Sequence, residues 1–155
     1  MFNLDDVTGY VEKVIPAGKY EVEVIKSTLD VWGTGRQVIK LQCKIVDTIP
    51  SGQDIDLDEF EDPIGQMVYP NVNIPYGKDE PKYKSSSDGF ISKLAKDYIN
   101  NFSVEIPEDK TDMKQFAENF TDMVGGVIVK YEPSDRNDPE SDPRAVADKS
   151  CALTN

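Results

Sequence analysis

The chain has 155 residues, of which 38% are hydrophobic and 30% are charged, and its formal net charge at pH 7 is −12. It contains no histidine and two cysteines, which excludes Ser–His and Cys–His nucleophile pairs, histidine general bases and zinc sites of the Cys/His type. We therefore expect one non-enzymatic domain spanning residues 1–155, with no catalytic residues, metal or cofactor.

The sequence shows no targeting signal. No apolar run approaches the about 20 residues that a membrane-spanning helix needs, and the opening MFNLDDVTGY lacks the basic and apolar regions of a signal peptide. We expect a soluble, cytoplasmic protein without a membrane partner. In such a chain Cys43 and Cys151, which lie far apart in predicted strands, are most simply buried thiols.

Most of the negative charge lies in two segments. Residues 47–62 (DTIPSGQDIDLDEFED) hold seven acids and no base, and residues 132–142 (EPSDRNDPESD) hold five acids beside Arg136. Together these segments contribute −7 and −4, or −11 of the net charge of −12. Because the rest of the chain is nearly neutral, the composition remains compatible with a basic face.

The first half of the chain predicts a long two-stranded ribbon. After an N-terminal arm over residues 1–15, apolar and polar residues alternate at strand period in PAGKYEVEVIKSTLDV. Gly33-Thr34-Gly35 predicts a tight turn. The return strand, residues 37–47, is expected to place its apolar residues on a core face and its lysines on the opposite face.

An acidic loop is expected over residues 47–66, followed by a third strand over residues 67–74 (MVYPNVNI). Within this strand Pro70 indicates an edge position or a bulge, because proline has no N–H to donate to a neighbouring strand. A polar loop, PYGKDEPKYKSSSDG, leads to the helical part of the chain.

Two helices are predicted next. Apolar residues recur at helical spacing from Phe90 to Phe102, and Ser86, Ser87 and Asp88 are candidate caps for this helix. A second, short helix is indicated between Met113 and Met123, with Thr111 or Asp112 as its cap.

The last part of the chain returns to strand patterns. Gly125-Gly126 is expected to end the short helix and to open a strand over residues 127–131. A second acidic loop, residues 132–144, then leads to a final strand over residues 145–153. We therefore predict a mainly β (α+β) fold, a five-stranded, OB-like Greek-key barrel with one main helix and one short helix between strands 3 and 4.

Two metal or phosphate motifs fail on geometry. Asp54, Asp56 and Asp58 have the opening spacing of a calcium loop, but the sixth position is Glu59 and the twelfth is Gly65, where glycine and a bidentate acid are needed. The GTG turn is followed by a strand rather than by the helix N-terminus that a phosphate-binding loop requires.

Aromatic and basic residues are interleaved at the hairpin tip, on one sheet face and in the loop after the third strand. Single-stranded nucleic acid is bound by rings on which bases stack and by cations that follow the backbone. In an OB barrel the binding cleft is formed by strands 2 and 3 with the loops between strands 1–2 and 4–5. The candidate residues are Trp32, Arg36, Lys40, Lys44, Tyr69, Tyr76, Lys78, Lys82, Tyr83 and Lys84.

Each member of this set also has a purely structural interpretation. Trp32 could pack against its own hairpin, because tryptophan is highly buried on average. Lys40 and Lys44 are as readily explained as solvated surface residues, and Tyr69 as part of the barrel interior. Only their joint occurrence indicates binding.

The stretch PAGKYEVEVIKSTLDVWGTGRQVIKLQCKIVD resembles a family of small phage-encoded proteins that is catalogued as a domain of unknown function. The helix FISKLAKDYINNF and the block FTDMVGGVIVKYEP are similar to later elements of that family. The resemblance implies an OB-fold single-stranded DNA-binding protein of phage replication and recombination, working in the host cytoplasm. This chain departs from the family where the acidic loop replaces a short glycine–basic turn after the second strand.

The predicted function is non-enzymatic binding of single-stranded DNA with little sequence preference. Replication or recombination proteins are candidate partners, and oligomerisation is left open. Two alternatives belong to other classes: an acidic interaction or DNA-mimic protein that occupies a basic partner, and a virion structural component.

Overall fold

The structure, a computed structural model, describes residues 13–154. Its elements in chain order are β1 (Gly18–Val31), β2 (Gln37–Ile49), β3 (Met67–Val68), β4 (Asn71–Asn73), α1 (Ser85–Asn101), α2 (Met113–Glu118), β5 (Val124–Asp135) and β6 (Asp138–Cys151). The strands pair in the order β3-β2-β1-β5-β6, and β4 also pairs with β2. They curl into a nearly closed barrel of five antiparallel strands, which confirms the predicted OB-like fold.

The ribbon of β1 and β2 forms the centre of the barrel. The two strands pair antiparallel from Lys19 opposite Ile49 to Val31 opposite Gln37, with one register shift at Val46 of β2 and another at Ile25 of β1. Alternate side chains of both strands are buried in one core, as the period-2 pattern predicts. Only the first part of β1, Gly18–Glu23, also pairs with β5, so the second part projects towards the hairpin tip.

The predicted third strand is present but is split in two. β3 pairs with Cys43 and Lys44, and β4 pairs with Val38, Ile39 and Lys40 of the same neighbour. The break falls at Pro70, whose carbonyl accepts a hydrogen bond from the Leu41 N–H at 3.0 Å. The proline sits on an edge strand, where its missing N–H leaves no ladder bond unmade.

The main helix, α1, lies against β4 and β6, the two edges that the barrel leaves unpaired. Ala95, Tyr98 and Phe102 bury its inner face. Phe90, which the helical spacing assigned to that face, is instead 54% exposed. Its neighbours Asp88 and Ile91 are buried and half-buried, so Phe90 lies on the solvent side of the helix.

The short helix, α2, closes the side of the barrel where β5 leaves β1. Asp112 caps it by accepting a hydrogen bond from the Gln115 N–H at 3.0 Å, as one of the two predicted caps. The Ser27 hydroxyl of β1 donates to the Ala117 carbonyl and lies 2.9 Å from the Thr121 hydroxyl. These bonds anchor the helix and the turn after it to the ribbon.

The end of the chain differs from the prediction. Residues 132–144, expected to be an acidic loop, are mostly strand: Glu132 pairs with Arg144, and Asp135 pairs with Asp138 across a turn. β5 and β6 thus form one long hairpin that extends past the barrel. The first acidic segment, by contrast, is irregular from residue 50 to residue 66, as predicted, although β2 itself runs on to Ile49.

Gly125 and Gly126 have a different role from the predicted helix stop. Both lie inside β5. A Cβ on Gly125 would stand 2.5 Å from the Phe102 ring, and one on Gly126 would stand 2.5 Å from the Cys151 carbonyl oxygen. The two glycines therefore allow a helix side chain and a neighbouring strand to approach the backbone closely.

The predicted arm over residues 1–15 falls mostly outside the described residues. Within its described end, Ile15 is buried in the core. The Tyr131 hydroxyl donates to the Ile15 carbonyl and accepts from the Ala17 N–H, both at 3.0 Å. Neither helix of the described residues is long and apolar enough to cross a membrane.

Candidate nucleic-acid interface

The β1–β2 turn holds Trp32 at the surface. The Gly35 N–H donates to the Trp32 carbonyl at 2.8 Å, and the Trp32 N–H donates to the Arg36 carbonyl at 2.9 Å. Gly35 has a φ of 88°, in the left-handed region that favours glycine. The Trp32 side chain is 39% exposed, so the indole of the hairpin tip is not part of the barrel core.

Arg36 is committed to internal contacts. Its guanidinium donates to the Asp88 carboxylate at 2.9 Å and to the Ile74 carbonyl at 3.3 Å. It also lies 4.4 Å from the centre of the Tyr76 ring, a cation–π contact. Because its side chain is only 16% exposed, it is not available to follow a phosphate backbone, the role that its place in the sequence suggested.

Asp88 joins three parts of the chain. Its carboxylate is 1% exposed and accepts hydrogen bonds from the Lys84 N–H at 2.7 Å and the Tyr76 N–H at 3.0 Å, besides the bond from Arg36. The bond from the Lys84 N–H contributes most to lowering the pKa of this carboxyl. Asp88, predicted as a cap, lies instead inside the first turn of α1, whose N-cap is Lys84, and it holds the start of α1, the loop before it and the β1–β2 hairpin together.

The loop over residues 75–84 is divided between the hairpin tip and solvent. The Tyr76 hydroxyl donates to the Thr34 carbonyl at 3.0 Å, and the Lys82 ammonium donates to the same oxygen. These two predicted binding residues are therefore hydrogen-bonded to the β1–β2 turn. Of the other predicted residues in the loop, Tyr83 is half-buried, whereas Lys78 and Lys84 are exposed.

The outer face of the second and third strands carries three of the predicted residues together. Lys40 and Lys44 are exposed on β2, and Tyr69, at the break between β3 and β4, is 64% exposed. Lys40 lies 2.9 Å from Asp30, with both side chains about half exposed, and its hydrogen bond lowers the pKa of the Asp30 carboxyl. Lys44 stands opposite Glu23 in the β1–β2 register.

A cleft of about 470 Å³ separates the third strand from the β5–β6 hairpin. Met67, Tyr69 and Asn71 line one side of it. The other side is lined by residues of the hairpin, including the basic side chains of Lys130, Arg136 and Arg144. The barrel thus places its fourth-to-fifth-strand connection beside its third strand, where OB folds bind their ligands.

The hairpin cations are the residues that the sequence did not identify. Lys130 lies 3.1 Å from Asp148, and Arg144 lies 2.8 Å from Glu132. Arg136, at the turn, has no ion pair within residues 13–154. The signal that points to them is the Arg136-Asn137 dipeptide between two aspartates, a composition typical of a hairpin turn.

The described part of the chain contains no cluster of side chains suited to a metal ion. Within residues 13–154 no group of three or more Asp, Glu, Cys or His side chains is arranged to hold a metal ion. Cys43 is a buried free thiol and Cys151 a half-buried one. Burial raises the pKa of the Cys43 thiol to about 12, so it stays protonated.

Residues 2–62 are similar to a family described as a protein of unknown function (DUF669). The matched region covers the β1–β2 ribbon and the whole of the first acidic segment, residues 47–62, and so includes Trp32, Lys40 and Lys44. It leaves out the third strand, both helices and the β5–β6 hairpin. No curated protein matches the chain.

Proposed function

We propose that the protein binds single-stranded DNA in the cleft between the third strand and the β5–β6 hairpin. The observation that carries the proposal is the composition of this cleft: an exposed aromatic ring, Tyr69, faces three hairpin cations at the ligand-binding position of an OB-like barrel. Binding is non-enzymatic and has little sequence preference at the stacking surface, because every base has a π-face.

The charges of the cleft favour the binding of a polyanion with modest affinity. Lys130 and Arg144 have carboxylate partners at 3.1 Å and 2.8 Å, whereas Arg136 has no ion pair within the described residues. A phosphate in the cleft therefore meets one free cation and two that are shared with acids. Few neutralised phosphates produce a shallow dependence of affinity on salt.

The resemblance to phage proteins supports a biological setting for this activity. We propose that the protein protects single-stranded intermediates of phage replication or recombination in the host cytoplasm, and that replication or recombination proteins are its partners. The part of the chain that carries this resemblance most closely is the ribbon with Trp32 at its tip.

The first test is a titration of the single tryptophan's fluorescence with oligo-dT at low and moderate salt. We expect saturable quenching that weakens as salt rises, because a strand that continues from the cleft along β2 stacks a base on the indole of Trp32, which lies outside the cleft lining. Trp32→Ala should weaken binding, measured by anisotropy of labelled DNA, at least about tenfold, since one stacked base contributes about 1–3 kcal/mol.

Tyr69 and Arg136 test the cleft itself. Tyr69→Ala should also weaken binding about tenfold, and Tyr69→Phe, which keeps the ring, should not. Arg136→Ala should reduce the slope of log K against log salt by about 0.7 if the side chain meets one phosphate. Lys114→Ala on α2, which removes the same charge outside the cleft, should leave the slope unchanged.

A second candidate function, capture of a basic partner protein, is favoured by the first acidic segment. All six acids between Asp54 and Asp62 are exposed. If neither the wild type nor Tyr69→Ala binds an oligonucleotide at low salt, capture of a basic partner protein replaces DNA binding as the proposed function.

A further inference from the structure

The described part of the chain begins beside the cleft. Residues 13–15 line a pocket of about 190 Å³. Met67, Val68 and Ala145 line both this pocket and the cleft, so the two spaces adjoin. The residues that precede Lys13 therefore join the barrel next to the cleft.

Two hydrogen bonds tie this point of the chain to the first acidic segment. The Lys13 ammonium donates to the Leu57 carbonyl at 2.9 Å. The Val14 carbonyl accepts a hydrogen bond from the Glu61 N–H at 3.0 Å. These bonds define the place from which residues 1–12, called here the N-terminal segment, extend.

The N-terminal segment is long enough to lie along the cleft. Twelve residues of extended chain span at most about 40 Å. The part of β6 that lines the cleft is residues 144–148, which covers about 14 Å at about 3.4 Å per residue. The segment can therefore reach every part of the cleft lining.

The cleft offers main-chain and apolar contacts to an extended chain. Its two walls are formed by β3 and β6, the end strands of the sheet, each of which has a neighbouring strand on one side only. Such edges present N–H and C=O groups to an added strand. Met67 and Tyr69 in the wall are 37% and 64% exposed. Phe2 and Leu4 alternate with polar residues in MFNLDDVTGYVE, so an extended chain would turn both towards one face.

The charges favour the same placement. The N-terminal segment contains three acids and no base, a formal side-chain charge of −3. The cleft lining contains three basic and two acidic side chains, a net charge of +1, and Arg136 among them has no ion pair within residues 13–154. The first acidic segment, to which Lys13 is tied, contributes −7. An acidic chain that starts between these two surfaces is repelled by one and attracted by the other.

We propose that the N-terminal segment occupies the cleft when DNA is absent, and that a single strand displaces it in order to bind. The inference rests on the proposed function and adds regulation to the same site. The segment lowers the apparent affinity for DNA according to the fraction of molecules in which the cleft is free.

Carbodiimide cross-linking tests where the segment lies, because the reagent joins a carboxylate to an amine in contact with it. Arg136→Lys and Arg144→Lys, made together, place an amine at each basic position of the cleft beside Lys130. We expect mass spectrometry of this variant to find Asp5 or Asp6 joined to one of these three positions, and saturation with oligo-dT to abolish the product. Cross-links of the two acids to lysines outside the cleft alone overturn the inference.

Anisotropy of labelled oligo-dT tests the competition. Asp5→Asn, Asp6→Asn and Glu12→Gln, made together in the whole chain, should bind the oligomer about tenfold more tightly than the wild type if the cleft is free in about one molecule in ten. Phe2→Ala with Leu4→Ala should also bind more tightly, although this variant leaves the charge unchanged.

The matched control removes three negative charges elsewhere. Glu105→Gln, Glu108→Gln and Glu118→Gln change exposed residues in and before α2, and together they should keep the affinity within about twofold of the wild type at physiological salt, since distant exposed charges are screened. The comparison separates release of the cleft from a general fall in negative charge.

The outcomes distinguish the inference from the function on which it rests. Segment variants that bind no more tightly than the control overturn the inference and leave DNA binding standing. A cross-link to the cleft in a protein that binds no oligomer in any variant overturns the DNA-binding function and retains the segment in the cleft. Absence of both the cross-link and binding overturns both proposals.

Discussion

Replacing Gly125 by alanine tests how closely α1 is packed onto the barrel. The added Cβ would stand 2.5, 2.6 and 2.7 Å from three atoms of the Phe102 ring, distances that real Cβ atoms do not adopt. Phe102 is 1% exposed and stacks on Tyr98 with ring centres 5.8 Å apart. The ring has no free space to retreat into, so the strand or the helix must move.

Overpacking of this kind costs about 1–3 kcal/mol. In a chain of this length, 1 kcal/mol corresponds to a shift of about 2–4 °C in melting temperature, so Gly125→Ala should melt several degrees lower. Gly89→Ala is the matched control: an alanine Cβ at this exposed position of α1 meets nothing within 4 Å. It should raise the free energy of unfolding by about 0.5–1 kcal/mol, because glycine weakens a helix interior.

Urea denaturation monitored by circular dichroism measures both free energies of unfolding. A second substitution, Phe102→Leu, removes the ring that the new methyl group meets. Since the two sites are in contact, their effects should not add, and Phe102→Leu should cost less in the Gly125→Ala background than in the wild type. A Gly125→Ala protein as stable as the wild type, or strictly additive effects, would refute the packing argument.

Three further predictions concern single groups. Because the pKa of the Asp88 carboxyl is lowered, the stability that its ionised form contributes is fully present above the ordinary value of 3.8 and is lost as pH falls through the lower folded value. The free energy of unfolding of Asp88→Asn should therefore depend less on pH than that of the wild type in acid titrations below about pH 4. Asp112→Ala removes the cap on α2 and should cost about 1 kcal/mol in urea denaturation. Cys43, with a thiol pKa of about 12, should be only about 10⁻⁴ thiolate at pH 8, so mass spectrometry should find it unmodified by iodoacetamide until the protein is unfolded.

The barrel was predictable wherever one face of an element is buried. Alternation identified β1 and β2, and the helical spacing identified α1, because in each the apolar period reports which side meets the core. Beyond Tyr131, the strands of the β5–β6 hairpin could not be predicted from an apolar period. Its residues 132–144 include no buried side chain, so the strands there satisfy their backbone hydrogen bonds without any apolar pattern. A charged segment with Pro133 and Pro143 was therefore interpreted as a loop.

The residue types of the binding surface could be predicted from the sequence, but whether each side chain is free to contact a ligand could not. Sequence reasoning proposed Arg36 at the hairpin tip, and Tyr76 and Lys82 in the loop after the third strand, as binding residues, but the structure gives all three internal partners. Arg36 meets Asp88 across 52 positions, and Lys82 meets the Thr34 carbonyl across 48. Local pattern carries no information on such long-range pairs, which decide whether a cation faces solvent or the protein.

The position of the first acidic segment bears on how an overall charge of −12 fits DNA binding. Glu61 and Met67 line one small pocket, and Met67 also lines the cleft, so the acidic segment ends beside the part of the cleft near Lys44. Trp32 lies at the other end of the ribbon, roughly 24 Å away, since seven residue steps of about 3.4 Å separate Lys44 from Gln37 along β2. Under the proposed function, the acidic segment repels the DNA backbone at one end of the ribbon, and Trp32 stacks on a base at the opposite end. Both effects favour a bound strand that runs along β2 towards Trp32.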